Sequence, residues 1–402
     1  MSENQPVLGR DFNWLWAAFA VSTFGSSIAF DALPLIAILA LHAGPAAVSA
    51  LAAVGLAVGA LVAIPMGPWV EFHRKRPAMI AMDLIRFAAV ASIPAAFALG
   101  RLGYVQLLVV AVIVGAGRIV YRAASGAYLK AIVPPAGLVV ANGRLESVTW
   151  MSLLVGPPLG GVAIGLFGPV VTTIADAVSY LLSAAGIAAI GGREAPPPVK
   201  AEAFRLADLA EGWRAILASP ALAPLFFNSV LVAGLIMATA PLLAVLMLGP
   251  LGFKPWQYGL VLGLPCLGGV IGSRLARPLA ARFGEFWVLQ VFGVLRACWS
   301  VGLVFVGPGT AGLALVILVE FGLIGCMGVF NPVFAAWRLN HSPEGKAARV
   351  LSAWNITSNL TIAALTALWG LLAAATSPRI AIGLAGALML LTPLLLPRRD
   401  ER

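Results

Sequence analysis

Charge is what this chain has least of. Of its 402 residues only 10% are Asp, Glu, Lys or Arg, against 61% hydrophobic, and the mean hydropathy is +0.97. Soluble domains carry about 25% charged residues, so this composition excludes a water-soluble globular protein and implies an integral membrane protein. Histidine is scarce too. His42, His73 and His341 all fall between apolar runs, and no HExxH or GxxxxGK[ST] pattern accompanies them. No soluble stretch is long enough to house a catalytic core, so neither an enzyme nor a nucleotide hydrolase is expected, and no cofactor or metal site. The three cysteines, Cys266, Cys298 and Cys326, lie in separate apolar runs, which excludes a disulfide framework and leads us to expect free, buried thiols. The first apolar run is too long for a signal core, carries Asp31 and lacks a strongly basic leader, so we expect it to be retained as a helix.

What is abundant is glycine, 43 residues, and proline, 28. In a membrane protein these favour kinked, closely packed helices, suited to a moving bundle rather than a rigid anchor. Taking about 20 residues as one span, apolar segments fall near 12–41, 46–70, 78–99, 103–128, 138–166, 168–190, 221–248, 256–280, 286–306, 309–335, 345–373 and 377–396. The fold expected is all-α, with about twelve transmembrane helices in two pseudo-symmetric six-helix bundles. The amino-terminal bundle covers 1–190 and the carboxy-terminal one 221–402. Between them, 191–220 opens with Pro196 to Pro198 and continues as a short amphipathic helix with Phe204, Leu206, Leu209, Trp213 and Ile216 on its apolar face, expected along the membrane surface. Gly55-Leu56-Ala57-Val58-Gly59 in the second segment recurs as Gly259-Leu260-Val261-Leu262-Gly263 in the eighth, which suggests a duplicated unit.

The basic residues cluster in the linker, the carboxy-terminal tail and alternate loops, including His73-Arg74-Lys75-Arg76, Lys130, Arg193, Lys200, Arg282, Arg338 and Lys346. By the positive-inside rule that side is cytoplasmic and both termini lie inside. The net charge of +10 therefore reports topology in the lipid bilayer, not nucleic-acid binding.

Ionisable residues inside apolar segments are functional candidates by default. Asp31 shares a face with Ser27 and Phe24, one and two turns earlier. It reads as a proton or substrate site, or as a structural hydrogen-bonded acid. Arg118 and Arg122, four apart, require acids nearby, and Glu146 and Asp83 are candidates, Asp83 itself three residues before Arg86. A static ion cluster and a proton-coupled switch explain this group equally well. Asp176, Glu320 and Arg296 are further embedded charges. Trp150 shares the fifth segment with Glu146. Ser352, Asn355 and Asn359 make a polar stripe beside Trp354 that lines a cavity or bonds helix to helix. Two sequons at Asn355 and Asn359 lie inside a segment and are unusable. In Gly156-Pro157-Pro158-Leu159-Gly160-Gly161 the missing donors and side chains let the helix bend and a neighbour approach.

Three of these stretches resemble the major facilitator superfamily, and within it the macrolide-efflux-like group of bacterial drug and metabolite exporters. Gly67, Glu71, Lys75 and Arg76 in the loop after the second segment are similar to the signature GxxxDRxGRR, with Phe72 and Arg74 departing from it. Gly156, Pro157, Gly160 and Gly161 resemble GPxxGG, which marks antiporting exporters, and Arg122 with Gly126 resembles RxxxG, a position linked to proton coupling. The resemblance implies secondary active efflux of a drug-like small molecule in exchange for protons, by a multi-pass inner-membrane protein. The single chain holds all twelve segments, so a monomer is expected. An uptake symporter or facilitator, or a non-transporting scaffold or sensor, are the alternatives.

Overall fold

Apolar runs of this length must satisfy their backbone polar groups internally when placed in lipid, which helices do within one segment. Among the residues that the computed structural model describes, 8–29, 32–71, 73–134, 137–191, 194, 206–343 and 346–397, every regular element is helical; the side chains at 56, 59–60, 62–71, 139, 206–209 and 347–348 lie outside that description. Eleven helical spans are long and apolar enough to cross a membrane. The second segment is α3 (Pro45–Glu71), 27 residues long.

Contacts divide the chain into two compact units, Met1–Leu41 with Val58–Ala203 and His42–Ala57 with Phe204–Arg402. The start of α3, which the sequence puts in the first half, thus groups with the second unit. There Ser49 abuts Gly370, and a Cβ on that glycine would sit 2.3 Å from the Ser49 Cβ.

The first unit holds α1 (Arg10–Ile28), α2 (Ala32–Leu39), α4 (Lys75–Ala98), α5 (Tyr104–Ile132), α6 (Leu138–Phe167) and α7 (Pro169–Ala188). α7 packs on α1 and α4, α4 also on α5, and α1 also on α6. Gly168, at φ 82, joins α6 to α7, and Pro169 opens the new helix. That turn is left-handed, which glycine adopts freely, and proline suits a first helical position. The core includes Phe12, Leu15, Met79, Tyr121 and Ile187.

The second unit contains α8 (Leu206–Leu217), α9 (Ala223–Leu248), α10 (Pro255–Gly263), α11 (Cys266–Phe283), α12 (Glu285–Trp299), α13 (Gly309–Asn340), α14 (Ala347–Ala375) and α15 (Pro378–Met389). The eighth segment is thus two helices, broken at Leu264-Pro265, where proline offers no N–H to continue the ladder. α11 and α13 meet through glycine. A Cβ on Gly272 would lie 2.2 Å from the Gly325 carbonyl oxygen, so both backbones approach as closely as membrane helices with small residues can.

The amphipathic helix is α8, and it packs on α14. Trp213 Nε1 donates to Thr357 Oγ1 at 2.9 Å and Ile216 is fully buried, so this part of its apolar face meets protein rather than lipid. Glu211 pairs with Lys346 at 2.8 Å and with Arg349. The hydrogen bond from Lys346, with the charge of Arg349, holds the Glu211 carboxyl below the usual glutamate range. Phe204 lies outside the described residues. All three cysteines are free, but none is fully buried: Cys266 and Cys326 are half-buried and Cys298 is exposed, on an outer face of α12, where a weakly polar thiol suits apolar surroundings as well as it suits a core.

Candidate functional site

The middle of α4 carries the most heavily buried charge pair. Asp83 is fully buried and Arg86 is 5% exposed, and one turn of helix brings the guanidinium onto the carboxylate. The i, i+3 spacing that makes this pair is visible in the sequence. What surrounds it comes from other helices. Ser183 of α7 donates to the second Asp83 oxygen at 2.7 Å. Arg86 lies over the Tyr121 ring of α5 at 4.8 Å and the Tyr180 ring of α7 at 4.4 Å. The negative ring faces attract the cation and shield it from the apolar interior.

The Tyr180 hydroxyl is 2.9 Å from Ser26 Oγ of α1, which donates to Asp176 at 2.8 Å. Two embedded acids, one arginine, two tyrosines and two serines therefore form one chain of contacts through α1, α4, α5 and α7. In the sequence Asp83 stood among the candidate partners of Arg118 and Arg122, and Asp176 only as a further embedded charge; the available signal was Asp176 and Tyr180 four residues apart on one helical face.

The second unit repeats part of this arrangement. Arg86 is the twelfth residue of α4 and Arg296 the twelfth of α12. Arg296 is 2% exposed and lies 3.6 Å from the Phe330 ring centroid on α13, as Arg86 lies over Tyr121 on α5. The position three residues earlier, however, holds Gly293 instead of an acid. Among the described residues Arg296 bonds the Asn228 side-chain carbonyl oxygen, and its Nε has no hydrogen-bond partner there. Asn228 passes the contact on to the Thr392 carbonyl at 2.7 Å.

A cavity of about 430 Å³ opens between α1 and α6, with Trp16, Phe24, Arg144, Ser147, Met151 and Ser152 among its lining. A smaller one of about 160 Å³ brings Tyr121, Arg122 and Gly126 of α5 to Asn142 of α6. Farther along α6, Gly156 meets α1 directly, and a Cβ there would stand 2.8 Å from the Ser27 carbonyl carbon. Gly156, Pro157, Gly160 and Gly161 are buried, and the helix runs unbroken through the prolines.

The remaining sequence candidates scatter. Glu146, Arg118, Arg122 and Trp150 are exposed, whereas Asp83 is buried and pairs with Arg86 of its own helix. Asp31 lies outside the described residues. Gly67 and Glu71 lie in the last turns of α3, their side chains likewise outside the description. Lys75 and Arg76 open α4. Their backbone N–H groups donate to the Glu194 carboxylate, and the Arg76 guanidinium binds the Ile187 and Ala188 carbonyls ending α7. An acid at a helix start and a cation at a helix end both complement the dipole, so this stretch clamps α4 to α7. Trp354 is core rather than cavity wall: it is 3% exposed, donates to Ser229 at 3.1 Å and meets Phe226 and Phe334 edge-on. Asn355 is exposed, and Asn359 and Glu320 are half-buried.

A bundle of membrane-length helices with a charge pair buried among them is an architecture that membrane transporters share. The chain belongs to the major facilitator superfamily, whose profile it matches over residues 15–364. The multidrug efflux pump Tap of Mycolicibacterium fortuitum is 27% identical over 271 residues, 64% of this chain and 64% of that pump, so the match spans less than two thirds of that relative's length. Among solved structures, the nucleoside transporter NupG superposes with a TM-score of 0.76 at 12% identity, covering 96% of this chain and 98% of its own. A bacterial homologue of the iron transporter ferroportin in an inward-facing state gives 0.74 at 17% identity, with 96% and 98% covered. At such identities the likeness is one of fold. The all-α membrane fold in two six-helix bundles is therefore that of this chain.

Proposed function

We propose that this protein is a proton-coupled exporter of a drug-like or secondary-metabolite small molecule, working by alternating access as a monomer in the cell inner membrane with both termini cytoplasmic. The halves 1–190 and 221–402 form the two bundles, joined by 191–220. The observation that carries the reading is the Asp83–Arg86 pair, buried at mid-span and joined through Tyr180 and Ser26 to Asp176. A carboxylate parted from its guanidinium in an apolar interior takes up a proton rather than stay charged. A conformational change that separates Asp83 from Arg86 thereby loads a proton, and re-pairing releases it. The match to a multidrug efflux pump and the glycine contact of α6 with α1 support the export direction and the cavity between those helices as the substrate site.

The test has two stages. A panel of antibiotics and pigments is screened on cells lacking their own pumps, and the compounds to which this protein gives resistance are taken into everted membrane vesicles. Vesicles with an acidic lumen are expected to accumulate them as protons leave. Uptake in right-side-out vesicles instead would favour a symporter or facilitator, and no solute-dependent proton movement in either would leave a scaffold or sensor.

A further inference from the structure

We propose that the cavity between α1 and α6 selects flat aromatic molecules that carry one carboxylate, and turns away organic cations. The proposal rests on reading that cavity as the substrate site. Trp16 and Phe24 on α1 supply two aromatic walls, and Met151 of α6 adds a polarizable thioether. Such walls take flat rings by stacking and sulfur–aromatic contact.

Arg144 is the one charged residue of the lining. It forms no ion pair among the described residues, and Glu146, two residues on, is turned about 200° round the helix from it. The cavity is therefore cationic, and an ammonium ligand would meet repulsion where a carboxylate meets a bidentate donor.

Ser152 lies behind the cavity wall rather than in contact with its contents. It borders the cavity, but it is fully buried, and its Oγ has no hydrogen-bond partner among the described residues. Serine in a helix usually returns its hydroxyl to the carbonyl one turn back, as Ser147 does to Gly143 at 2.8 Å. A buried hydroxyl left without a partner carries a desolvation cost, and because its Oγ is closed to the cavity, Arg144 remains the charged group that a ligand there would meet. Arg144, Val148 and Ser152 recur every four residues and so form one stripe. The stripe from Arg144 to Ser152 extends about 12 Å along the axis, enough for a flat fused-ring body beside its anionic group. The volume of about 430 Å³ falls in the range of small-molecule sites.

Three probes sharing one ring test this: 9-anthracenecarboxylate, its uncharged methyl ester and 9-(aminomethyl)anthracene. Binding to the purified full-length protein in neutral detergent without added lipid is followed by energy transfer from tryptophan. The carboxylate is expected to bind about tenfold or more tighter than the ammonium, with the ester between. Arg144→Gln should bring the three within about twofold of each other, while Arg144→Lys keeps the order. Ser152→Ala should leave all three within about twofold of wild type, since none carries a second polar group to reach that position, and Phe24→Ala should weaken all three. Equal or tighter binding of the ammonium, or an unchanged ratio in Arg144→Gln, overturns the proposed selectivity. If Phe24→Ala still abolishes binding in that case, the cavity remains the ligand site and only the charge class is wrong. If no probe binds, or all bind equally to Phe24→Ala, the reading of the cavity falls and the proposal with it.

Discussion

Arg86 and Arg296 occupy matching places in their helices, yet among the described residues only Arg86 has a carboxylate beside it. That difference decides what losing each cation does. Arg86→Met strands a buried carboxylate, a change that costs about 3–5 kcal/mol. Arg296→Met removes an uncompensated cation and leaves only the Asn228 oxygen without a partner, about 1–3 kcal/mol, offset by an apolar side chain of similar volume. In one detergent, the apparent melting temperature of Arg86→Met is therefore expected several degrees below that of Arg296→Met; an equal fall in both would mean that Arg296 has a counter-charge of its own. The Asp83–Arg86 pair was legible in the sequence because a helix fixes i, i+3 neighbours. Tyr121, Tyr180, Ser183 and Ser26 were not, since three further helices deliver them and no local pattern encodes which helices meet.

Among the elements, α6 and α8 carry the sharpest expectations. The glycine-proline run of α6 was legible as a place of close approach, and the helix it approaches, α1, came from the packing. Gly156→Val would drive a side chain into the Ser27 backbone. Transport is expected to fall at least tenfold while insertion and expression persist, measured as vesicle accumulation per unit of protein; unchanged accumulation would remove this contact from the mechanism. The apolar stripe of α8 was legible and was expected along the membrane surface; Trp213 and Ile216 of that stripe meet α14 instead. Glu211 sits below its ordinary range in the folded protein, so its contribution to docking is present above the unfolded glutamate value and lost as the pH falls through the folded one. Hydrogen exchange over 206–217 should therefore be slow near neutrality and quicken on acidification beyond the intrinsic pH dependence of exchange. Glu211→Gln should exchange faster near neutrality and lack that extra response. The pairs are exposed, and the effect is expected to be modest.

At the scale of the whole molecule, scarcity of charge, long apolar runs and a single polar linker made the membrane class and its two-part plan readable, because composition alone decides whether a segment prefers lipid. The cavity and the seven-residue network were not readable, since their shape depends on helices packed from distant parts of the chain; Asp31 and Glu146, prominent in sequence, have no described place in that network. The central claim is that a proton moves through Asp83 in exchange for solute. It is tested most directly in proteoliposomes of purified protein with a pH-sensitive dye in the lumen, comparing wild type with Asp83→Asn, which keeps the size of the side chain but cannot ionise. With wild type, addition of a substrate found in the resistance screen is expected to move protons opposite to the solute and to drive uphill transport under a pH gradient. With Asp83→Asn, substrate binding and downhill exchange are expected to persist while proton movement and uphill transport vanish. Uphill transport by Asp83→Asn with the wild-type pH dependence would contradict the account and make the buried pair a structural brace.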